Sequence, residues 1–207
     1  VELPPPTTRD LPPPTRDLPP PAHDGIAAPL RITGLCKRFG DKLALDNLSL
    51  VVPHGACYGL VGPNGSGKST TMRTVVGLAR PDAGVVEVCG VRTDHDIIGV
   101  RRAMGVILDP LQLFERLSAR EFVETIGALR QLEPDLVARR SAEMFDVLEI
   151  SSDADRPIAG YSHGMRKKTA LVAALLHRPR LVMLDEPFEG VDPVSTRAMR
   201  TMLDRFR

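Results

Sequence analysis

The sequence predicts an α/β fold with a parallel sheet, and three observations carry the prediction. A glycine-rich loop, Gly62-Pro63-Asn64-Gly65-Ser66-Gly67-Lys68-Ser69-Thr70, lies between an apolar run and a helical pattern. A second apolar run, Leu181-Val182-Met183-Leu184, closes on two acids, Asp185 and Glu186. Between these runs, apolar residues recur at helical spacing. Short apolar runs alternating with amphipathic helical patterns mark parallel strands joined by crossover helices.

The glycine loop fits the phosphate-binding pattern G-x-x-x-x-G-K-[ST], with Gly62, Gly67, Lys68 and Ser69 at the fixed places. Its flanks read as a short buried strand over 56–61 and a helix over 70–79, with Met72, Val75, Val76 and Ala79 on one stripe. Glycines let the backbone curl so that successive N–H groups form an anion nest, and the helix beyond adds its positive dipole end. In such a loop the lysine, here Lys68, reaches the β- and γ-phosphates and the hydroxyl, here Ser69, ligates Mg²⁺. The bland alternative is a glycine-rich turn matching by chance.

The run 181–184 reads as a buried parallel strand with carboxylates at its C-terminal end, where open α/β sheets bind ligands. Asp185 is expected to hold Mg²⁺ and Glu186 to polarise an attacking water. Upstream, Tyr161-Ser162-His163-Gly164-Met165 precedes a stripe through Leu171, Ala174 and Leu175. Ser162 and Gly164 fall where a helix begins, either as a second anion-binding terminus or as a plain serine cap. Ser118-Ala119-Arg120-Glu121 is a capping box opening a helix through Phe122, Val123, Ile126 and Leu129. A further helix is predicted from Pro134 through Leu148.

At 207 residues and 43% hydrophobic content, the chain has material for one α/β domain with a mainly aliphatic core, since Trp is absent. A net charge of +1 argues against a nucleic-acid partner. Cys36, Cys57 and Cys89 form no C-x-x-C pair; Cys57 and Cys89 sit in apolar runs and read as small core residues. The longest apolar stretch, 170–176, is too short to cross a bilayer. Residues 1–29 carry the tandem repeat Thr-Arg-Asp-Leu-Pro-Pro-Pro at 8–14 and 15–21, which reads as an extended polyproline-like tail: a docking ligand, or simply a solvated segment.

With these motifs in place, residues 30–207 resemble the ATP-binding subunits of ABC transporters, most closely bacterial exporter-type subunits. The glycine loop and Leu184-Asp185-Glu186-Pro187 are shared with that family; Tyr161 to Met165 resembles its signature motif, and Asp192, in Glu189-Gly190-Val191-Asp192-Pro193, matches its D-loop. Phe39 sits where the family stacks an aromatic ring on adenine. The resemblance implies a P-loop NTPase core with a mixed or parallel sheet, an antiparallel β subdomain and an inserted α-helical subdomain at about 109–165.

It further implies ATP and Mg²⁺ as cofactors and a homo- or heterodimer of ATP-binding domains. Each nucleotide would be held by Lys68, Ser69 and Asp185 of one copy and by Ser162 and Gly164 of the other. The work would be done on a separate transmembrane permease, from the cytoplasmic face of the membrane. Three departures stand out. Asp109 occupies the place of the family's Mg²⁺-contacting Gln, with Gln112 nearby; His163 replaces the first glycine of the signature. The family's switch histidine falls beyond Arg207, so the domain is expected to be incomplete at its C-terminus. A second reading is a nucleotide-binding module that does not hydrolyse, regulatory or vestigial; a third is a soluble relative acting on ribosomes or DNA.

Overall fold

Strand pairing begins at Leu30. The computed structural model describes residues 27–205, and the proline-rich repeat lies outside the described residues, as does Phe206. The described chain divides into two units, one up to Val100 and one from Arg101 onward.

The first unit is built on a four-stranded antiparallel sheet in the order β2-β1-β3-β4. Strand β1 (Leu30–Phe39) pairs with β2 (Lys42–Val52) through a tight turn, with Phe39 opposite Lys42. On its other side β1 pairs with β3 (Ala83–Val88), which continues into the short β4 (Val91–Arg92). Ile32, Leu35, Cys36, Val86 and Val88 are buried, as are Met72, Val75 and Val76 from α1 (Lys68–Val75). Helix α1 stops four residues earlier than its periodicity suggests. Gly77 N and Leu78 N fold back onto Thr74 O and Arg73 O, a closure that satisfies the last carbonyls.

Two expectations fail in this unit. Residues 56–61 form no strand, and Tyr58 and Val61 are exposed, Val61 to 94%. Among the described residues no strand pairs with this segment, and a strand exists only through its ladder. Cys57 in the same segment is therefore exposed, and Cys89 is half-buried in the β3–β4 turn with φ 52°; only Cys36 is a core thiol.

The second unit holds the parallel pair. Strand β5 (Met104–Ile107) runs beside β6 (Leu181–Leu184) in register from Met104–Leu181 to Ile107–Leu184. Helix α2 (Ile97–Arg102) leads into β5. Helices α3 (Ala119–Leu129), α4 (Pro134–Val147), α5 (His163–Leu175) and α6 (Pro193–Asp204) complete the unit. Phe145, Leu148, Ile150, Ile158, Leu171 and Met199 lie fully within its core. Each contributes about 2 kcal/mol of transfer free energy. The capping box forms as the sequence predicts: Glu121 N donates to Ser118 Oγ at 3.2 Å and Ser118 N to Glu121 Oε2 at 2.8 Å. Leu129 departs from its expected place, being 72% exposed at the end of α3. Among the described residues no helix is long and apolar enough to cross a membrane.

His177 follows α5. Its Nε2 bonds Met104 O at 2.9 Å, while its buried Nδ1 has no hydrogen-bond partner. Burial, helped by the positive charge of Arg130, pushes its pKa down from 6.5 to about 4. The unfolded chain therefore takes up a proton at this ring first. Stability present above pH 6.5 is lost as the pH falls through the window toward about 4. His177→Gln, which keeps a donor but does not titrate, is expected to flatten the slope of unfolding free energy against pH across that window, measured by urea denaturation. An unchanged slope would remove His177 from the acid response.

Candidate functional site

The glycine loop and Phe39 belong to the first unit; the acids and the Ser162 segment belong to the second. In the first unit, residues 62–67 form an irregular loop that ends in α1, with Gly67 as N-cap at φ 94°. A Cβ at Gly67 would lie 2.6 Å from Ala44 O and 2.7 Å from Leu45 Cδ2. Both the left-handed backbone and the close approach of β2 require glycine there. The loop closes through Ser66 N donating to Pro63 O at 3.2 Å. Lys68 folds back over it, Nζ donating to Gly62 O at 2.7 Å and Pro63 O at 3.0 Å. These partners are neutral carbonyls, and an anion would add its opposite charge to the hydrogen bond.

Asn64, Gly65, Ser66 and Ser69 are exposed along the loop, and Thr70 is half-buried. No acid stands in the first turn of α1, so nothing offsets its positive end. Phe39, at the end of β1, is 54% exposed, with Lys37 Nζ 5.2 Å from its ring centre. A ring left open in this way suits stacking on a planar base.

In the second unit, the parallel register carries the acids. Asp185 N donates to Ile107 O at 2.9 Å, extending the β5–β6 ladder by one bond. Asp109 follows β5 by two residues and is exposed, so Asp109, Asp185 and Glu186 all leave the sheet at the same end. Glu186 has φ 45°, a left-handed conformation unusual for a non-glycine residue. Its carboxyl is raised above its ordinary range. A hydrogen bond and the charge of Glu189 come first, then partial desolvation, then the charges of Asp185 and Asp109.

The Ser162 segment opens α5. Ser162 Oγ accepts from Met165 N at 3.2 Å, so its hydroxyl acts as the helix cap. Tyr161 is buried, and its hydroxyl donates to Asp153 O at 2.5 Å. The His163 ring lies over Gly190: a Cβ there would come within 3.1 Å of His163 Cδ2, and Gly190 has φ +66°. At Gly164, in contrast, a Cβ would meet nothing closer than Val191 Cγ1 at 3.9 Å. Asp192 is the N-cap of α6: Oδ1 accepts from Ser195 N at 2.9 Å, and bonding to Ser195 holds its carboxyl below the ordinary range. The capping bond shows how the Asp192 side chain is held in this structure.

Sequence reasoning missed two residues. Glu189 is the chief neighbour of Glu186. Lys167 is buried, and its Nζ donates to the carbonyls of Glu186 and Glu189. The signal for Lys167 was available, because it sits one turn before Leu171 on the apolar stripe of α5.

A glycine loop leading into a helix start without acids, and carboxylates at the C-terminal end of parallel strands, mark an α/β domain of the P-loop NTPase fold. Comparison with known proteins places it further: the chain belongs to the ABC transporter family, whose model matches residues 45–189. It is 37% identical over 164 residues to a daunorubicin resistance ATP-binding protein, DrrA3, of Streptomyces coeruleorubidus, covering 79% of this chain and 52% of that protein. It is also 37% identical to the Nod factor export ATP-binding protein I of Sinorhizobium fredii, covering 79% of this chain and 48% of the relative.

The chain thus spans about half the length of these relatives. Among solved structures, an ATP-binding subunit of an ABC transporter superposes with a TM-score of 0.80 at 28% identity, covering 86% of this chain and 74% of the other. The protein cbiO1 from Clostridium perfringens, part of the ABC transporter complex cbiONQ, superposes with a TM-score of 0.73 at 25% identity, covering 86% and 73%.

The raised carboxyl of Glu186 has a direct consequence for any reaction in which it acts as a base. A base works when deprotonated, so activity falls as the pH drops through its pKa, and a raised pKa moves that fall to higher pH. Glu189→Gln removes the neighbouring charge and offers a donor instead. The acidic limb of the kcat/KM profile for ATP hydrolysis is expected to move to lower pH in this variant, and an unmoved limb would separate Glu189 from the reacting carboxylate.

Proposed function

We propose that this chain is the ATP-binding and ATP-hydrolysing subunit of a bacterial exporter-type transporter. It works as a head-to-tail dimer on a separate transmembrane permease, at the cytoplasmic face of the membrane. The observation that carries hydrolysis over simple binding is the turn after β6. There Glu186 stands exposed, with an elevated pKa, at the strand end where such folds bind their ligands. The name of one relative, the Nod factor export ATP-binding protein I, supports the export direction.

The parts divide by chemistry. The loop residues Gly62, Pro63, Asn64, Gly65, Ser66 and Gly67 offer backbone N–H groups to the phosphates, and Lys68 exchanges its carbonyl partners for phosphate oxygens. Phe39 stacks on the adenine. Mg²⁺ fits the donors present. It is a hard cation that keeps several waters and takes one or two protein oxygens beside the phosphates. Asp185, with Asp109 beside it and the Ser69 hydroxyl from the loop, supplies such oxygens. Bound there, the ion would neutralise phosphate charge. Glu186 accepts the proton of the attacking water, a role for which a carboxyl raised above its ordinary range is suited.

The second copy enters through Ser162 and Gly164. Among the described residues nothing crowds Gly164, which leaves room there for a group from outside, such as a phosphate held by the partner. ATP then acts as the ligand that favours the closed dimer, and its hydrolysis releases it.

Glu186→Gln is expected to bind ATP, split it at least about 100-fold more slowly, and accumulate as a dimer in size-exclusion chromatography with Mg-ATP. A variant that stays monomeric at saturating ATP would contradict the dimer reading, and one with undiminished turnover would remove Glu186 as the base.

A further inference from the structure

The start of α5 grips the turn that carries Glu186. Lys167 is 4% exposed, and its side-chain nitrogen donates to Glu186 O at 2.5 Å and to Glu189 O at 2.8 Å. Its neighbour Arg166 faces the other way, bonding Glu115 Oε1 at 2.6 Å and Ala159 O at 3.3 Å. Glu186 O also accepts from Glu189 N at 3.2 Å, so one carbonyl gathers a side-chain donor and a backbone donor. Four residues after Glu186, the His163 ring covers Gly190. The segment from Glu186 to Gly190 is thus held at two points by side chains from the first turns of α5.

Stability alone gives no reason for a lysine at this place. Burying an amine is unfavourable unless its donors find acceptors, and a methionine would fill the same volume without that cost. The acceptors that Lys167 does find are the backbone carbonyls of the residue carrying the reacting carboxylate and of the residue that most perturbs it. Glu186 meanwhile keeps an unfavourable φ of 45°, a conformation that persists only where surrounding contacts impose it. Its side chain is exposed and meets Glu189, and the backbone from which it projects is the one that Lys167 holds.

We infer that Lys167 is a positioning residue for Glu186, fixing the turn from which the carboxylate projects and joining it to the Ser162 end of α5. The inference rests on the hydrolytic reading above. It adds that the segment meeting the partner's nucleotide and the base of this copy's own site move as one piece. Lys167 spends its donors on the carbonyls of Glu186 and Glu189 and acts through Glu186.

Three variants of the purified protein test this: Lys167→Met, which keeps volume and loses the donors; Lys167→Arg, which keeps a donor; and Lys167→Gln, which stands in if the methionine form does not fold. Steady-state hydrolysis is expected to show kcat down about tenfold or more in Lys167→Met, with KM for ATP within about twofold and recovery in Lys167→Arg. Amide hydrogen exchange is expected to quicken about tenfold at Glu189 and Val191 in Lys167→Met, leaving the α5 amides unchanged.

If the wild type hydrolyses ATP and Lys167→Met keeps its kcat, the inference is overturned. It is overturned too if KM, kcat and exchange throughout the second unit all deteriorate with no recovery in Lys167→Arg, because the residue is then only a packing element. Should the wild type not hydrolyse ATP, the functional reading fails by itself. Exchange then decides for Lys167: quickening confined to 186–191 supports its hold on the turn, and unchanged exchange overturns it.

Discussion

The parallel ladder between β5 and β6 is the interaction on which the second unit's chemistry depends. Register decides where the carboxylates go: with Ile107 beside Leu184, Asp109 and Asp185 leave the sheet at the same end. The extra bond from Asp185 N to Ile107 O holds that end closed up to the first acid. A slip of one residue would turn every side chain of β6 to the opposite face and take Asp185 out of place. Glu186 then begins a turn that departs from ladder geometry, and Lys167 supplies the bonds that the ladder no longer provides.

Gathering like charges is the cost of this arrangement. Asp185, Glu189 and Asp109 all act to raise the Glu186 carboxyl, with Glu189 contributing most. Such repulsion destabilises the bare protein locally and is relieved by whatever cation or proton the site takes up. The glycine loop presents the opposite case, with a lysine and an unopposed helix start whose nearest available partners are carbonyls of its own backbone. Under the proposed function, an anion would suit the loop and a cation would suit the acids. That is how a ligand comes to favour one conformation strongly.

Much of this was legible in the sequence. The glycine loop declares itself because its backbone conformation admits few residue types, as the crowding at Gly67 shows. The capping box at Ser118 and the run 181–184 are local signals, and local signals survive folding unchanged. What could not be read depends on partners. Residues 56–61 have the composition of a strand but no ladder partner among the described residues. Leu129 lies on the apolar stripe of α3 yet past the edge of the core. Glu189 and Lys167 matter only because a turn and a helix meet. A lysine on an apolar stripe was a visible anomaly whose meaning required the carbonyls it reaches. Ser162 and Asp192 show the converse, since motif residues expected at nucleotide also serve as ordinary helix caps.

The proposed hydrolysis of ATP requires Mg²⁺ and Lys68. Phosphate release by the purified protein tests it most directly, measured with ATP plus Mg²⁺, with chelator, and in Lys68→Met. The account predicts release that requires Mg²⁺ and falls at least about 100-fold in Lys68→Met. ATP that binds to the wild type but is never split, or release that persists in Lys68→Met, would contradict it.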